Sequence, residues 1–431
     1  MPSLKPLRLL PLLLVLAACS TVEVQPTATT PAQAQREDAF GQAHALAAAP
    51  NPDVRRIEAL LVGLDDATLA RRTAALAEGD PLYPYAGRVL MRRGLPLPRA
   101  FARGWKFDDR APAERDGYRP PASVALLLPS TAAGNAVRDG FMTGYYGEAR
   151  RRPQVRIYDT AGGAGAAYER AVADGNTYVV GPLGREEVDA LFARGELPVP
   201  MLGLNRGDRT PPAGSVGFSL SPEDEGVSAA DYLLERRIGN VLLLVGSEDS
   251  MRRTARSLSE RLEQRGGKVV QRIDVGSGDG AELLPQLQAA QAAGAQAAFV
   301  ALRTAQARRV AEQLDAAGLL VPRFGTSLLE TGESLRGIAA PTEAWGVRGV
   351  PGLPSRAVAE ARLKTARGPA GRLFAFGYDA WLLTGYLEKL ANDPNAELPG
   401  ATGALRIDGF GNIVREPVWT GLSGGPVGGA P

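Results

Sequence analysis

The sequence predicts an α/β fold of two lobes, each a parallel sheet flanked by helices, preceded by a short α-helical region. Two observations predict it: short apolar runs alternate with amphipathic stretches of helical period, and one break interrupts the alternation. Continuous apolar runs are typical of parallel strands that are buried on both faces. The alternation alone also suits a closed barrel or one large open sheet. The predicted strands are Val124–Leu128, Val155–Tyr158, Tyr178–Val180, Val199–Leu204, Val241–Val245, Lys268–Val275, Ala297–Leu302 and Ala344–Val347.

The break follows a further strand-like segment, Ser215–Leu220. Ser221 is a favourable N-cap, Pro222 suits the first helical position, and Glu223–Glu225 place negative charge in the first turn. A new helix is therefore expected to begin there, after which the strand–helix series starts again. This restart favours a hinge between two lobes.

The composition also divides the chain before and after the lobes. Leucines recur at helical intervals over residues 37–95, which predicts about three short helices, and prolines break the chain over 96–121. Near the end, Ala404–Ile407 and Ile413–Trp419 flank a glycine turn and predict a hairpin. The predicted divisions are a signal peptide at 1–18, a disordered tether at 19–36, the helical region at 37–95, a Pro-rich linker at 96–121, a two-lobed domain at 122–420 (lobe 1 about 122–219 plus part of 328–400, lobe 2 about 220–327 plus part of the C-terminal region) and a disordered tail at 421–431.

Charge and residue counts exclude several functional classes. The formal charge of +2 falls to zero once the two basic residues of the leader are removed, so nothing draws the chain as a whole to nucleic acid. One cysteine and one histidine cannot build a Cys/His zinc site, and His44 alone would have to serve a Ser-His-Asp or Cys-His catalyst. The acids Glu186, Glu187 and Glu223–Glu225 begin predicted helices, where capping explains them better than glycan hydrolysis does. We predict a protein that is not an enzyme and uses no cofactor or metal.

The start of the chain carries a predicted secretion and lipidation signal. Residues 1–18 place basic side chains before the apolar run Leu9–Ala18, which is too short to span a bilayer and fits a signal peptide. The run ends at Leu16–Cys19, which resembles the bacterial lipobox, whose cysteine thiol takes a diacylglycerol. The alternative is an ordinary signal peptide with an incidental cysteine. Ser20 follows Cys19, and by the sorting rule in which Asp at that place retains a lipoprotein in the inner membrane, Ser predicts an outer-membrane lipid anchor facing the periplasm.

Several segments, in their order along the chain, resemble one family of bacterial proteins. They are Ala125–Pro129, Val137–Phe141, Tyr158–Thr160, Val179–Leu183, Pro198–Pro200, Leu204-Asn205, Leu220–Glu225, Phe374–Ala380 and Thr402-Gly403. Together with the lipobox, these segments resemble the LppC/LpoA lipoproteins, the penicillin-binding protein activators.

The resemblance implies a type I periplasmic-binding-protein-like fold. It also implies an outer-membrane lipoprotein that binds and activates a bifunctional, class A penicillin-binding protein, which is a peptidoglycan synthase. Better-known members carry a long N-terminal helical-repeat domain, and this chain has only a short helical region in that place. The alternative function is a lipoprotein solute receptor that binds an amino acid or similar small anion between the lobes.

The resemblance also locates a candidate inter-lobe cleft. In such folds ligands lie at the carboxyl ends of strands, where helix N-termini offer free N–H groups to an anion. The alternative is that these segments are strand-to-helix turns with capping residues and no ligand. The candidate cleft residues are Ser130, Thr131, Gly181, Pro182, Leu183, Gly184, Asn205, Ser247, Thr304, Tyr378 and Asp379.

Overall fold

The computed structural model describes residues 31–276, 283–329, 337–342 and 369–421 of the chain. The predicted signal peptide, Cys19 and most of the predicted tether lie outside these ranges, as do the predicted strand Ala344–Val347 and nearly all of the predicted tail. No helix within the described ranges is both long enough and apolar enough to cross a membrane.

Helices and strands are numbered here along the chain. The helices are α1 (Pro31–Ala47), α2 (Val54–Val62), α3 (Asp66–Ala74), α4 (Tyr83–Arg92), α5 (Ala132–Gly147), α6 (Ala164–Ala173), α7 (Arg185–Phe192), α8 (Pro222–Glu235), α9 (Asp249–Gln264), α10 (Leu284–Ala292), α11 (Thr304–Ala316) and α12 (Pro369–Asn392). The strands are β1 (Ser123–Leu128), β2 (Gln154–Asp159), β3 (Tyr178–Val180), β4 (Met201–Gly203), β5 (Val216–Phe218), β6 (Asn240–Gly246), β7 (Lys268–Val275), β8 (Ala297–Ala301), β9 (Arg323–Gly325), β10 (Ile338–Thr342), β11 (Leu398–Gly400), β12 (Gly403–Ile407), β13 (Asn412–Glu416) and β14 (Val418–Gly421).

The helical region contains four helices, α1 to α4, where the sequence predicted about three. The helix α1 begins at Pro31, inside the predicted tether, so the tether prediction is wrong for its last residues. Phe40, Ala43 and Ala47 are buried at helical spacing and pack in one apolar cluster with α2 and α4. This burial explains why an Ala-rich segment is helical here.

The first lobe is a sheet in the order β11-β12-β13-β5-β4-β3-β1-β2. Its strands are parallel except in the terminal hairpin, where β12 runs antiparallel to β11 and β13. Side chains of β1 alternate between two cores: Leu126 and Leu128 pack with α5 and α12, whereas Ala125 and Leu127 pack with α6 and α7. Burial on both faces confirms the parallel arrangement that the apolar runs predict.

The second lobe repeats this plan with the strand order β14-β10-β9-β8-β6-β7. All its strand pairs are parallel except that of β10 with β14. In β6, Val241 and Leu243 pack with α8 and α9, and Leu242 and Leu244 pack with α10 and α11. Each lobe therefore has its own sheet between two layers of helices, as predicted.

Among the elements that the structure describes, the chain passes between the lobes three times: after β5, between β10 and α12, and at Pro417 between β13 and β14. The first passage begins where predicted, because Ser221 caps α8 by accepting a hydrogen bond from the Asp224 N–H. The predicted hairpin strand Ile413–Trp419 is wrong at its end, since Trp419 belongs to the sheet of the second lobe. Proline offers no N–H to a strand ladder, and this ends β13.

The predicted linker contains no helix or strand, yet it is packed rather than free. Phe107 and Tyr118 are buried in the core of the first lobe. Arg119 donates from its guanidinium to Glu388 Oε1 at 2.6 Å, and its N–H donates to the Gly385 carbonyl at 2.7 Å. The linker is therefore part of the first lobe, held against α12.

Candidate functional site between the lobes

The first candidate turn, between β1 and α5, uses its hydroxyl groups within the protein. Thr131 is the N-cap of α5, and its Oγ1 accepts a hydrogen bond from the Gly134 N–H at 3.2 Å. Ser130 Oγ donates to Asp159 Oδ2, at the end of β2, at 2.6 Å. Both hydroxyls lie at the carboxyl ends of strands, where a ligand would be expected, but each already has a partner.

The second candidate turn, between β3 and α7, is bound to neighbouring strands by its backbone. Gly181 has φ +106°, and a Cβ there would lie 2.1 Å from the Leu127 carbonyl oxygen, so only glycine fits. The Gly181 N–H donates to the Leu202 carbonyl at 2.9 Å, and the Leu204 N–H donates to the Pro182 carbonyl at 3.0 Å. The glycine–proline pair is explained by close packing on β1 and β4.

The polar groups at the end of this turn are also paired. Asn205 donates from Nδ2 to the Leu183 carbonyl at 2.9 Å and accepts from the Arg206 N–H at 2.9 Å. Gly184 is the N-cap of α7, and its N–H donates to Glu187 Oε2 at 3.2 Å. This bond explains the acid at position 187 as a helix-capping group.

In the second lobe, two candidates lie at the start of α9 and α11. The Ser247 carbonyl accepts a hydrogen bond from Arg252, and Thr304 is the first residue of α11. Beside them Glu248 and Arg303 form a two-bond ion pair at 2.5 and 2.8 Å, which joins the two turns. The turns are thus tied together by a surface ion pair.

Tyr378 and Asp379 lie in the middle of α12, which begins at Pro369, and not in a strand-to-helix turn as the other candidates do. The fully buried Asp379 carboxylate accepts from the Thr402 N–H at 2.8 Å, the Thr402 Oγ1 at 2.6 Å and the Ala401 N–H. Burial raises the pKa of Asp379 to about 6, against the opposing effect of the Thr402 hydrogen bonds. Burial likewise raises the pKa of Tyr378 to about 12. The Asp379 side chain therefore ties α12 to the turn between β11 and β12.

Two ion pairs connect residues of different lobes. Arg206 of the first lobe donates to Asp224 of α8 at 2.8 Å. Glu225 of α8 accepts from Arg372 of α12 at 3.2 Å and from the Ser327 hydroxyl at 2.8 Å. Glu225 is only 4% exposed, so this pairing compensates the loss of hydration of its charge.

A buried arginine lies next to these pairs. Arg415 of β13 is 6% exposed and donates to the Thr402 carbonyl at 3.0 Å. Burial, together with repulsion from the Arg372 charge, lowers the pKa of Arg415 to about 10. Its position joins the Asp379 turn to the charged pairs at the lobe crossing.

These pairs were not predicted from the sequence. In the sequence, Asp224 and Glu225 are explained by their place in the first turn of a helix, where negative charge is favourable. Their partners Arg206 and Arg372 lie 18 and 147 positions away. The only indication in the sequence is the run of three acids, Glu223–Glu225, after the cap. This run does not show which basic residues pair with the acids.

The described ranges hold no group of three or more His, Cys, Asp or Glu side chains that could bind a metal ion. His44 lies on α1, and its Nε2 is 3.0 Å from Asp80 Oδ2. Glu223 is paired with Arg253 at 3.0 Å. Of the acids for which capping was preferred to glycan hydrolysis, Glu187 caps α7, and Glu223, Asp224 and Glu225 form ion pairs.

Two parallel-sheet lobes joined by three chain crossings, with strand-to-helix turns at the carboxyl ends of the strands, define the type I periplasmic-binding-protein-like class. Within that class, residues 118–312 match the family described as "LppC putative lipoprotein". The resemblance to the LppC/LpoA lipoproteins is therefore confirmed.

Curated relatives carry the name penicillin-binding protein activator LpoA. The protein of Pasteurella multocida is 25% identical over 310 residues, which cover 69% of this chain and 53% of the relative. The protein of Yersinia pseudotuberculosis is 26% identical over 319 residues, covering 62% of this chain and 48% of the relative. The chain thus spans about half the length of these relatives.

Solved structures support the fold. The LpoA C-domain from Haemophilus influenzae, described as a regulator of PBP1A, aligns with a TM-score of 0.60 at 20% identity, covering 70% of this chain and 97% of that one. Full-length LpoA from the same organism covers 92% of this chain with a TM-score of 0.60 at 16% identity, over 75% of its own length. A "putative branched-chain amino acid ABC transporter" from Chromobacterium violaceum aligns with a TM-score of 0.58 at 26% identity, covering 70% of this chain and 99% of that one.

Proposed function

We propose that this protein is an outer-membrane lipoprotein, anchored through Cys19, that binds and activates a class A penicillin-binding protein. The observation that carries the proposal is the similarity to curated penicillin-binding protein activators over 69% of the chain. The internal pairing of Ser130 and Asn205 agrees with it, because these groups would otherwise be the natural contacts for a solute.

The proposed mechanism is selection of a conformation rather than chemistry on a substrate. The protein docks on the synthase from the periplasmic side and binds its active state more tightly than its inactive state. A partner shifts such an equilibrium only by the difference between its affinities for the two states. No reacting group of this chain is required.

The alternative is a solute receptor for an amino acid or similar small anion. The likeness to the Chromobacterium violaceum protein at 26% identity favours it. Under this alternative a ligand carboxylate that accepted from the Ser130 hydroxyl would have to displace Asp159, because that hydroxyl already donates its proton to Asp159. Replacing a hydrogen bond in this way reduces the net gain from binding.

The first prediction concerns synthase activity. Adding the chain without its leader and Cys19 to a purified class A penicillin-binding protein should raise the rate of glycan-strand polymerisation and saturate at a defined stoichiometry. If roughly 10% of the free synthase is in the active state, full selection raises the rate by about tenfold. Polymerisation of lipid-linked precursor and co-sedimentation of the two proteins measure the effect.

The control is the variant Ser130→Ala with Thr131→Ala, which removes the two hydroxyls of the first candidate turn. It should stimulate the synthase as the unaltered chain does. The receptor alternative instead predicts no stimulation and a rise in melting temperature with an amino acid, lost in this variant. Absence of both binding and stimulation would contradict the proposed function.

The second prediction concerns the anchor. Cys19→Ala should abolish incorporation of labelled palmitate and move the protein from the outer-membrane fraction to the soluble fraction, because the thiol is the only site of lipid attachment that the sequence offers. Ser20→Asp should keep the label but shift the protein to the inner membrane, and Ser20→Thr serves as its control. Palmitate labelling that persists in Cys19→Ala would refute the assignment of the anchor.

A further inference from the structure

The helical region, residues 31–95, is attached to the first lobe at the turn between β12 and β13. The Arg88 guanidinium of α4 is 3.3 Å from Asp408 Oδ2 and lies 3.7 Å above the centre of the Phe410 ring. Tyr85 packs edge-on against Phe410 at 4.8 Å. The surfaces meet so closely that a Cβ at Gly409 would lie 2.6 Å from the backbone of α4.

The same helix is attached to the second lobe by its end. The carbonyl oxygen of Arg92, the last residue of α4, accepts from Arg261 Nη2 at 2.8 Å and from Arg265 Nη1 at 3.3 Å. The last carbonyls of a helix have no partner within it and carry its negative dipole end, so two guanidinium groups are the complementary partner.

The arginine that binds the end of α4 is itself fixed by other residues of the second lobe. Arg261 is 2% exposed and makes two further bonds to Asp231 of α8, at 2.8 and 3.1 Å. On the side of α4, Arg88 and Arg92 both donate to Glu58 of α2, at 3.0 and 3.3 Å. Both attachments therefore originate from one helix, α4, which is itself bound to α2 through Glu58.

We propose that the helical region is a strut that holds the two lobes at one angle. Receptors of this fold class close their lobes around a ligand by bending at the crossings. Here such bending would move α9 relative to the turn between β12 and β13, while α4 binds both. Closure would have to break the bonds of Arg261 and Arg265 to the end of α4. This inference does not rest on the proposed function.

The test measures the spread of distances between the lobes. Cys19 is the only cysteine of the chain, so in a Cys19→Ser background two introduced cysteines can be labelled alone. Ala166→Cys on α6 and Ala289→Cys on α10 are exposed helical positions, one in each lobe. Double electron–electron resonance between spin labels there should give one narrow distance distribution for the otherwise unaltered full chain.

The strut variant is Arg261→Lys with Arg265→Ala, which keeps a positive charge beside Asp231 but removes the guanidinium groups that bind α4. It should widen the distance distribution at least about twofold, or add a second peak. The matched control on the same helix is Arg252→Lys with Arg256→Ala, which leaves α4 untouched and should not change the distribution.

A second variant keeps the test decisive if the first folds poorly, as judged by circular dichroism. Gly409→Val forces a side chain between the turn of the first lobe and α4, and should also widen the distribution. A broad distribution in the unaltered chain, or an unchanged narrow one in a folded variant, would overturn the strut.

Discussion

Replacing Gly140 with alanine is expected to lower the free energy of unfolding by about 3 kcal/mol. Gly140 lies in α5 where it crosses α12, and a Cβ there would be 1.9 Å from the Phe374 carbonyl oxygen. The contact is reciprocal, because a Cβ at Gly377 would be 2.0 Å from the Val137 carbonyl oxygen. The neighbouring atoms belong to the backbone, which cannot change rotamer to make room as a flexible side chain can. The two helices would therefore have to move apart, which would disrupt the core of the first lobe.

The matched control is Gly147→Ala, at the last position of the same helix. A Cβ there meets nothing within 4 Å, so alanine should be neutral or stabilise by about 0.5 kcal/mol through its better helix propensity. Urea unfolding followed by tryptophan fluorescence measures both variants, since Trp381 of α12 packs 5.6 Å from the Phe141 ring of α5. If Gly140→Ala and Gly147→Ala lowered the free energy of unfolding by similar amounts, the close approach of α5 and α12 would be ruled out.

The helix crossing also explains part of the sequence resemblance. The segments Val137–Phe141 and Phe374–Ala380, which carried it, meet across the contact between α5 and α12. The local sequence pattern could identify each segment as helical. It could not predict that the two helices pack together, because neither segment contains information about its packing partner. The role of Gly140 and Gly377 is to let the backbones of the two helices approach each other closely.

Strand prediction succeeded for the buried apolar strands β1, β3 and β6, and also for β7, a strand with charged residues that is mostly unburied at the edge of its sheet. The predicted bounds of β3 and β7 agree with the structure, and β1 and β6 agree to within one residue at each end. The strands β9 and β10 were missed for physical reasons. The first has three residues, Arg323–Gly325, and the second contains Pro341, which lacks the N–H that a strand ladder uses. Both depend on neighbouring strands for their conformation.

The candidate site was less predictable than the fold. Strand-to-helix alternation placed Ser130 and Asn205 correctly in turns at the carboxyl ends of strands. Whether such groups are free depends on partners brought in by the tertiary fold, such as Asp159 for Ser130. The pairs of Arg206 with Asp224 and of Glu225 with Arg372 form only when separate segments meet at the lobe crossing.

The second large effect is expected at Asp379, where alanine should lower the free energy of unfolding by about 4 kcal/mol at pH 5. The variant leaves the Ala401 and Thr402 N–H groups buried without an acceptor, at about 1–3 kcal/mol each. The matched control is Asp208→Ala, because the Asp208 side chain is 83% exposed and its ion pair with Arg185 lies at the surface. Its effect should stay within about 0.5 kcal/mol.

The pH dependence of this effect separates burial from hydrogen bonding. Burial raises the pKa of Asp379 from 3.8 to about 6, so the folded protein holds the proton more tightly than the unfolded chain does. The resulting stability is complete below about pH 4 and is lost as the pH rises through 6. Relative to Asp379→Asn, which cannot titrate, the unaltered chain should therefore lose up to about 3 kcal/mol between pH 4 and pH 7. The opposite result would be that the unaltered chain gains stability relative to Asp379→Asn as the pH rises. In that case the hydrogen bonds from Thr402 would outweigh burial, and folding would favour the charged carboxylate.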